Sequence, residues 1–298
     1  MYFTFGTYYN HGKYVPIVYK NNDFFIQKHL YADETIKKYR ELNINKAIKD
    51  KNPIFIKSCF LYSKRWDFNW RHFIIETFQT IHYYLEEKQK NPNLKLLVMK
   101  DTSRWVFEIF KILDIKDYVC ITKQNIIISD KVIIKKNTYN QDFMNLFINK
   151  CKEMSSLINS ESRKKIYISR LNVDKYKKRE LVNIDKFYSY YVNGKLYELF
   201  PEELKLWEQV SLINNAKMIL CLIGANCDNI IFANKDCKFY IIYPNHCKVW
   251  ANWYFNNSQL IKPYIYNHGI CVGKSTDGDK YNRPWRIHTF IASILKNS

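Results

Sequence analysis

The 298-residue chain carries 47 Lys and Arg against 28 Asp and Glu, for a formal charge of +19. Apolar residues at 47% and aromatics at 17% exclude a disordered basic tail and supply enough side chain for one or two packed cores. Only 7 Gly and 7 Pro exclude collagen-like and Pro-rich linker architectures.

From Pro53 onward, short apolar runs alternate with amphipathic helical patterns, the signature of α/β units with parallel strands. A strand is expected over 53–56, then a polar, aromatic loop over 62–69. Phe73, Ile74, Thr77, Phe78, Ile81 and Tyr84 recur at three- and four-residue spacing, which predicts a helix stopped by Asn91-Pro92-Asn93. A strand over 94–99 and a helix over 105–113 follow. Three short strands over 119–122, 126–129 and 131–134 and a helix over 143–157 complete the first half.

The polar run Asn159-Ser160-Glu161-Ser162-Arg163 marks a boundary, with an N-terminal domain over 1–155 and a C-terminal domain over 156–298. Beyond it the alternation restarts. Strands are expected over 166–169, 195–199, 217–222 and 239–243. Helices are expected over 185–190, from Pro201 through Val210, over 230–233, and over a terminal segment 287–295 free to cross back onto the first domain. Pro201, Glu202 and Glu203 are residues that a helix N-terminus favours. Two Rossmann-like halves facing each other across a central cleft fit this layout best, and ligands in such sheets bind beyond the carboxyl ends of the strands.

Eight cysteines, at 59, 120, 151, 221, 227, 237, 247 and 271, form no CxxC and no metal-finger spacing. They are expected as buried small hydrophobes or loop thiols in a reducing compartment rather than as a disulfide lattice. The first residues lack the basic and long apolar regions of a signal peptide, and no apolar stretch reaches the length of a spanning helix. A cytoplasmic protein is expected, with a basic face suited to resting on a membrane surface. Codons rich in A and T encode Lys, Asn, Ile, Tyr and Phe, so genomic drift is an alternative to selection for a partner as the source of part of the charge. A +19 surface also attracts nucleic acid, anionic headgroups and phosphorylated molecules.

Ser169-Arg170 follows an expected strand directly, placing a hydroxyl donor and a guanidinium fork at the cleft mouth, with Arg179 nine residues on. A surface Arg of a basic protein would look the same. Gly224-Ala225-Asn226, running on to Asn229, is a small-residue turn from strand into helix, where a backbone approaches a diphosphate and first-turn N–H groups point at it. A tight turn capped by Asp228 or Asn229 is the structural alternative. His72 and Glu76 lie four apart near a helix start, on one face, as candidates to take a proton from a hydroxyl, with Asp67 in the preceding loop a third; a structural helix histidine is the alternative. Glu208-Gln209 sits in an otherwise apolar helix, as a solvated face or as a partner for ribose or sugar hydroxyls.

Taken in order, these pieces resemble glycosyltransferase family 61. The matching segments are Asn69-Trp70-Arg71-His72-Phe73 with Glu76, Tyr167-Ile168-Ser169-Arg170, Arg179 through Asn183, Trp207-Glu208-Gln209 with Asn215-Ala216, and Gly224-Ala225 with Asn229-Ile230-Ile231-Phe232-Ala233. The resemblance implies a GT-B-like α/β fold and an inverting transfer from a nucleotide sugar, a UDP-sugar first, with no cofactor and no bound metal. His72, Glu76 and Asp67 would then be the catalytic candidates. Ser169, Arg170, Arg179, Glu208, Gln209, Gly224, Ala225, Asn226 and Asn229 would bind the donor.

The implied partners are the donor and a glycan or glycoconjugate acceptor, not nucleic acid. Asp277-Gly278-Asp279 has the DxD form of a metal site but reads as a polar turn. One position departs from the family pattern: Ile223 stands where members usually carry His before Gly-Ala. That departure and the charge keep open a second reading, a noncatalytic polyanion or nucleic-acid binder on a degenerate transferase scaffold. A third, a metal-dependent GT-A enzyme, would lose turnover in EDTA.

Overall fold

A computed structural model describes residues 2–8, 13–20, 23–25, 53–62, 69–122, 127–135, 138–157, 165–169, 196–244 and 269–272. The chain divides into two compact units, Met1–Phe143 and Met144–Ser298. The helices expected over 185–190 and 287–295 lie outside the described residues.

Ahead of the first expected strand, β1 (Tyr2–Tyr8), β2 (Lys13–Lys20) and β3 (Asp23–Phe25) form an antiparallel meander. A search for parallel units passes over such local pairing. Next come β4 (Ile54–Phe55), β5 (Ser58–Leu61), β6 (Lys95–Met99), β7 (Tyr118–Ile121), β8 (Ile127–Ile128) and β9 (Lys131–Ile133). The strand expected over 53–56 is thus only β4, at the edge of a mixed sheet β3-β2-β1-β8-β4, with Phe55 71% exposed. Pro53 has no N–H for a ladder and suits such an edge.

The strand that enters the core is β5, buried along its whole length. With β6, β7 and β9 it makes an all-parallel sheet ordered β7-β6-β5-β9. Counted within that sheet the order is 3-2-1-4, that of the first four strands of a Rossmann sheet. Cys59, Leu61, Leu97, Met99 and Ile121 cluster with Ile127 of the mixed sheet. Phe60, on the alternate face of β5, meets the Tyr84 ring edge-on at 5.8 Å. Both faces are therefore covered, as a parallel sheet requires.

The helix after β5 buries all six apolar-face residues that its spacing predicts. It is not one continuous α-helix. α1 (Trp70–His72) passes through a π-helical turn, Phe73–Thr77, into α2 (Gln79–Lys90). The wider turn shows in the bond from the Phe78 N–H to the Phe73 carbonyl at 2.7 Å. α3 (Arg104–Ile112) follows β6, and α4 (Gln141–Ser156) spans the division between the units.

The second unit holds β10 (Lys165–Ile168), β11 (Leu196–Leu199), β12 (Met218–Leu222), β13 (Lys238–Pro244) and β14 (Gly269–Val272). All neighbours are parallel and the order is β11-β10-β12-β13-β14. Counted within the sheet this is 2-1-3-4-5, the flavodoxin-like order. β12 is buried throughout, and Phe232 meets Phe147 of α4 at 6.1 Å.

Two expected helices differ in this unit. The helix from Pro201 through Val210 is a 3₁₀ turn, Pro201–Glu203, an extended break at Leu204 and Lys205, and then α5 (Leu206–Asn214). The Glu208 carboxylate accepts the Lys205 N–H at 2.7 Å and so starts a fresh helix there. The helix expected over 230–233 is a 3₁₀ helix that begins earlier, at Ala225–Phe232.

Candidate functional site

In a 2-1-3-4-5 sheet the chain leaves the first strand toward both sides, and the crevice opens beyond the carboxyl ends of the first and third strands. Here those strands are β10 and β12. The register pairs Ile168 with Cys221, which brings Ser169 alongside Leu222 and one residue short of Ile223. The Ser169 N–H donates to Leu199 at 2.8 Å and the Ile223 N–H to Ile242 at 2.9 Å. The ladder thus extends to Ser169 on one strand and Ile223 on the other.

Gly224 makes the turn, at φ 153° and ψ −171°. A side chain with Cβ avoids that region, so the position needs glycine. The first 3₁₀ bond runs from the Cys227 N–H to the Gly224 carbonyl at 3.0 Å. The N–H groups of Ala225 and Asn226 precede it, and both residues are half-buried, whereas Asn229 and Asp228 are buried. Ile223, just before the turn, is a fully buried aliphatic side chain.

Glu208 and Gln209 lie in the first turn of α5, which follows β11 on the same sheet. Their polar groups serve the chain locally. Glu208 caps Lys205, and the Gln209 side-chain amide donates to the carbonyls of Pro201 at 2.7 Å and Leu204 at 3.1 Å. Arg170 and Arg179 lie outside the described residues, as does Asp67 in the first unit.

In the first unit, Asn69 caps the helix that leaves the carboxyl end of β5, its Oδ1 accepting the His72 N–H at 3.5 Å. His72 is half-buried in the first turn, and Glu76 has its backbone in the π-helical turn. The common face expected for this pair on an α-helix is therefore set by a wider turn. Trp70 meets Trp105 edge-on at 5.9 Å and stacks on Phe73 at 5.9 Å.

Trp105 opens α3, the helix after β6, so both tryptophans lie past carboxyl ends of this sheet. Thr102 Oγ1 and Trp105 Nε1 are buried and have no hydrogen-bond partner among the described residues. Buried donors of this kind normally find one. The sequence pattern singles out neither as a site residue, Trp105 being expected only as the start of a helix. Their signal was position, since Thr102 and Trp105 follow β6 as Asn69 and Trp70 follow β5.

The amino end of the same sheet is a structural clamp. Asp117 bridges Lys88 at 2.8 Å and Lys95 at 2.6 Å. Hydrogen bonds from Lys88 and then Lys95 hold its carboxyl down at about 2. The Tyr84 hydroxyl donates to the Asp117 carbonyl at 3.2 Å, and burial pushes that phenol up to about 12. Among the described residues, no three His, Cys, Asp or Glu side chains gather to hold a metal ion, and no helix is long and apolar enough to cross a membrane. Asp277-Gly278-Asp279 lies outside them.

No curated protein sequence matches the chain. The Glycosyltransferase 61 family model matches residues 70–240, more than half of the chain, from the capped helix of the first parallel sheet to the strand beyond the Gly224 turn; the chain belongs to that glycosyltransferase family.

Proposed function

We propose that this glycosyltransferase moves a sugar from a nucleotide diphosphate donor, a UDP-sugar first, to a hydroxyl of a glycan or glycoconjugate, with inversion and without a bound metal. One observation carries the reading: Ser169 and the glycine-dependent turn at Gly224 follow the two strands that flank the switch point of a 2-1-3-4-5 sheet. In this reading residues 1–155 and 156–298 are the two lobes of a GT-B enzyme, the first presenting the acceptor and the second gripping the donor.

The acceptor oxygen attacks the anomeric carbon as the carbon–oxygen bond to the diphosphate breaks on the opposite face. The acceptor proton passes to a base of the first lobe, with His72, Glu76 and Asp67 as candidates. Arg170, Arg179, the Ser169 hydroxyl and the N–H groups of Ala225 and Asn226 take up the negative charge of the leaving diphosphate, the work a metal does elsewhere. Asn229, Glu208 and Gln209 border the nucleoside and sugar. The basic surface suits a cytoplasmic enzyme resting on an anionic membrane.

The test is turnover of a panel of UDP-, GDP- and CMP-sugars in EDTA, with product mass and anomeric configuration recorded. Transfer with inverted configuration is expected, while retention or loss of turnover in EDTA overturns the mechanism. The second reading, a noncatalytic polyanion binder, is favoured by the +19 charge and by Ile223. Millimolar UDP raises the melting temperature of a transferase and leaves a polyanion binder unmoved.

A further inference from the structure

Cys221 and Cys227 flank the Gly224 turn, one on β12 and the other in the first turn of the 3₁₀ helix. Their Sγ atoms are 2.6 Å apart and both residues are fully buried. Cys227 Sγ also lies 3.3 Å from the Leu222 carbonyl. Neither is in a disulfide. The sequence predicts buried small hydrophobes or loop thiols, and at these two positions the cysteines are buried. Their mutual approach is not, because a spacing of six residues brings two side chains together only when the chain between them doubles back. Gly224 makes that reversal possible.

We propose that Cys221 and Cys227 are a redox pair whose disulfide locks the strand-to-3₁₀ turn. Hydrogen peroxide, small enough to reach a buried sulfur, supplies the oxidant. It converts one thiol to a sulfenic acid, releasing water; the second sulfur then attacks the first, the S–S bond forms, the S–O bond breaks and a second water leaves. The two sulfurs give up two electrons, which reduce the peroxide oxygens, and the thiol protons end in the two waters. A dithiol reductant reverses the step by exchange. The bond ties the end of β12 to the 3₁₀ helix and confines residues 222–226 between its anchors. A consequence for the donor rests on the proposed function, in which this turn cradles the diphosphate.

The experiment uses the full chain, reduced and then treated with peroxide. Intact mass is expected to fall by two hydrogens, peptide mapping after alkylation to join Cys221 to Cys227, and amide exchange over 222–227 to slow about tenfold. Cys227→Ala and Cys221→Ala each abolish the cross-link and the slowing, whereas Cys151→Ala keeps both. Separate alkylation of Cys221 and Cys227 after oxidation, a bond to a different cysteine, or unchanged exchange overturns the proposal. UDP titration of both redox forms reads the donor assignment separately. A mapped bond with no UDP binding in either form would remove that assignment and leave the redox pair standing.

Discussion

The side-chain amide of Gln79 donates to the Ile74 carbonyl at 3.4 Å, across the π-helical turn that carries Glu76. Its Oε1 accepts the Asn140 N–H at 2.9 Å, and the residue is fully buried. Gln79→Ala removes both bonds of a buried amide, so unfolding stability should fall by about 1–3 kcal/mol. Urea denaturation of the two chains measures it, and an unchanged midpoint would mean that the turn holds without this amide.

Gly224 occupies backbone space closed to other residues. Gly224→Ala should cost about 1–3 kcal/mol of stability and abolish the UDP-dependent rise in melting temperature. Melting curves with and without UDP separate the two effects; an alanine chain that still responds to UDP fully would detach the turn from the donor.

The amino-end clamp sets an acid limb. Asp117 has a folded pKa lowered from 3.8 to about 2, so its contribution is present above 3.8 and is lost as pH falls toward 2. The pair is partly exposed and the effect is small. Asp117→Asn should flatten the stability profile between those values, more at low salt than at high salt.

An alkaline limb follows from burial. Desolvation raises Cys59 to about 11, Cys237 to about 12 and Tyr84 to about 12, above their ordinary 9.0 and 10.0. Unfolded chains ionise these groups first, so stability is full below pH 9 and declines as pH climbs toward 12. Native-state alkylation at neutral pH should modify exposed Cys120 well before buried Cys59, Cys151 or Cys237. Equal rates would show that the native core opens readily.

Apolar runs and helical spacing made α2, α3, α4 and the strands of the parallel sheets other than β5 and β14 legible, because strands buried on both faces and one-sided helices leave continuous and periodic patterns. Gly224 was legible as a turn because its neighbours are small. The π-helical turn was not, since Phe73, Ile74, Thr77 and Phe78 keep apolar spacing whether the turn is α or π, and what supports the wider turn is the distant pair Gln79 and Asn140. β5 was missed because the expected strand stops at Ile56 and the polar Lys57 and Ser58 interrupt the apolar run, although Ser58 and Cys59 are both buried. The split at Leu204 depends on which N–H the Glu208 carboxylate meets, a choice made in three dimensions. The approach of Cys221 to Cys227 likewise appears only once Gly224 has reversed the chain.

Calorimetric titration of UDP into Arg170→Ala and His72→Ala, beside turnover of each, tests most directly whether one lobe holds the diphosphate while the other activates the alcohol. The account predicts that the arginine variant loses most of its nucleotide affinity, and that the histidine variant binds as the parent chain does but turns over slowly. Matching losses of UDP affinity in both variants would contradict it.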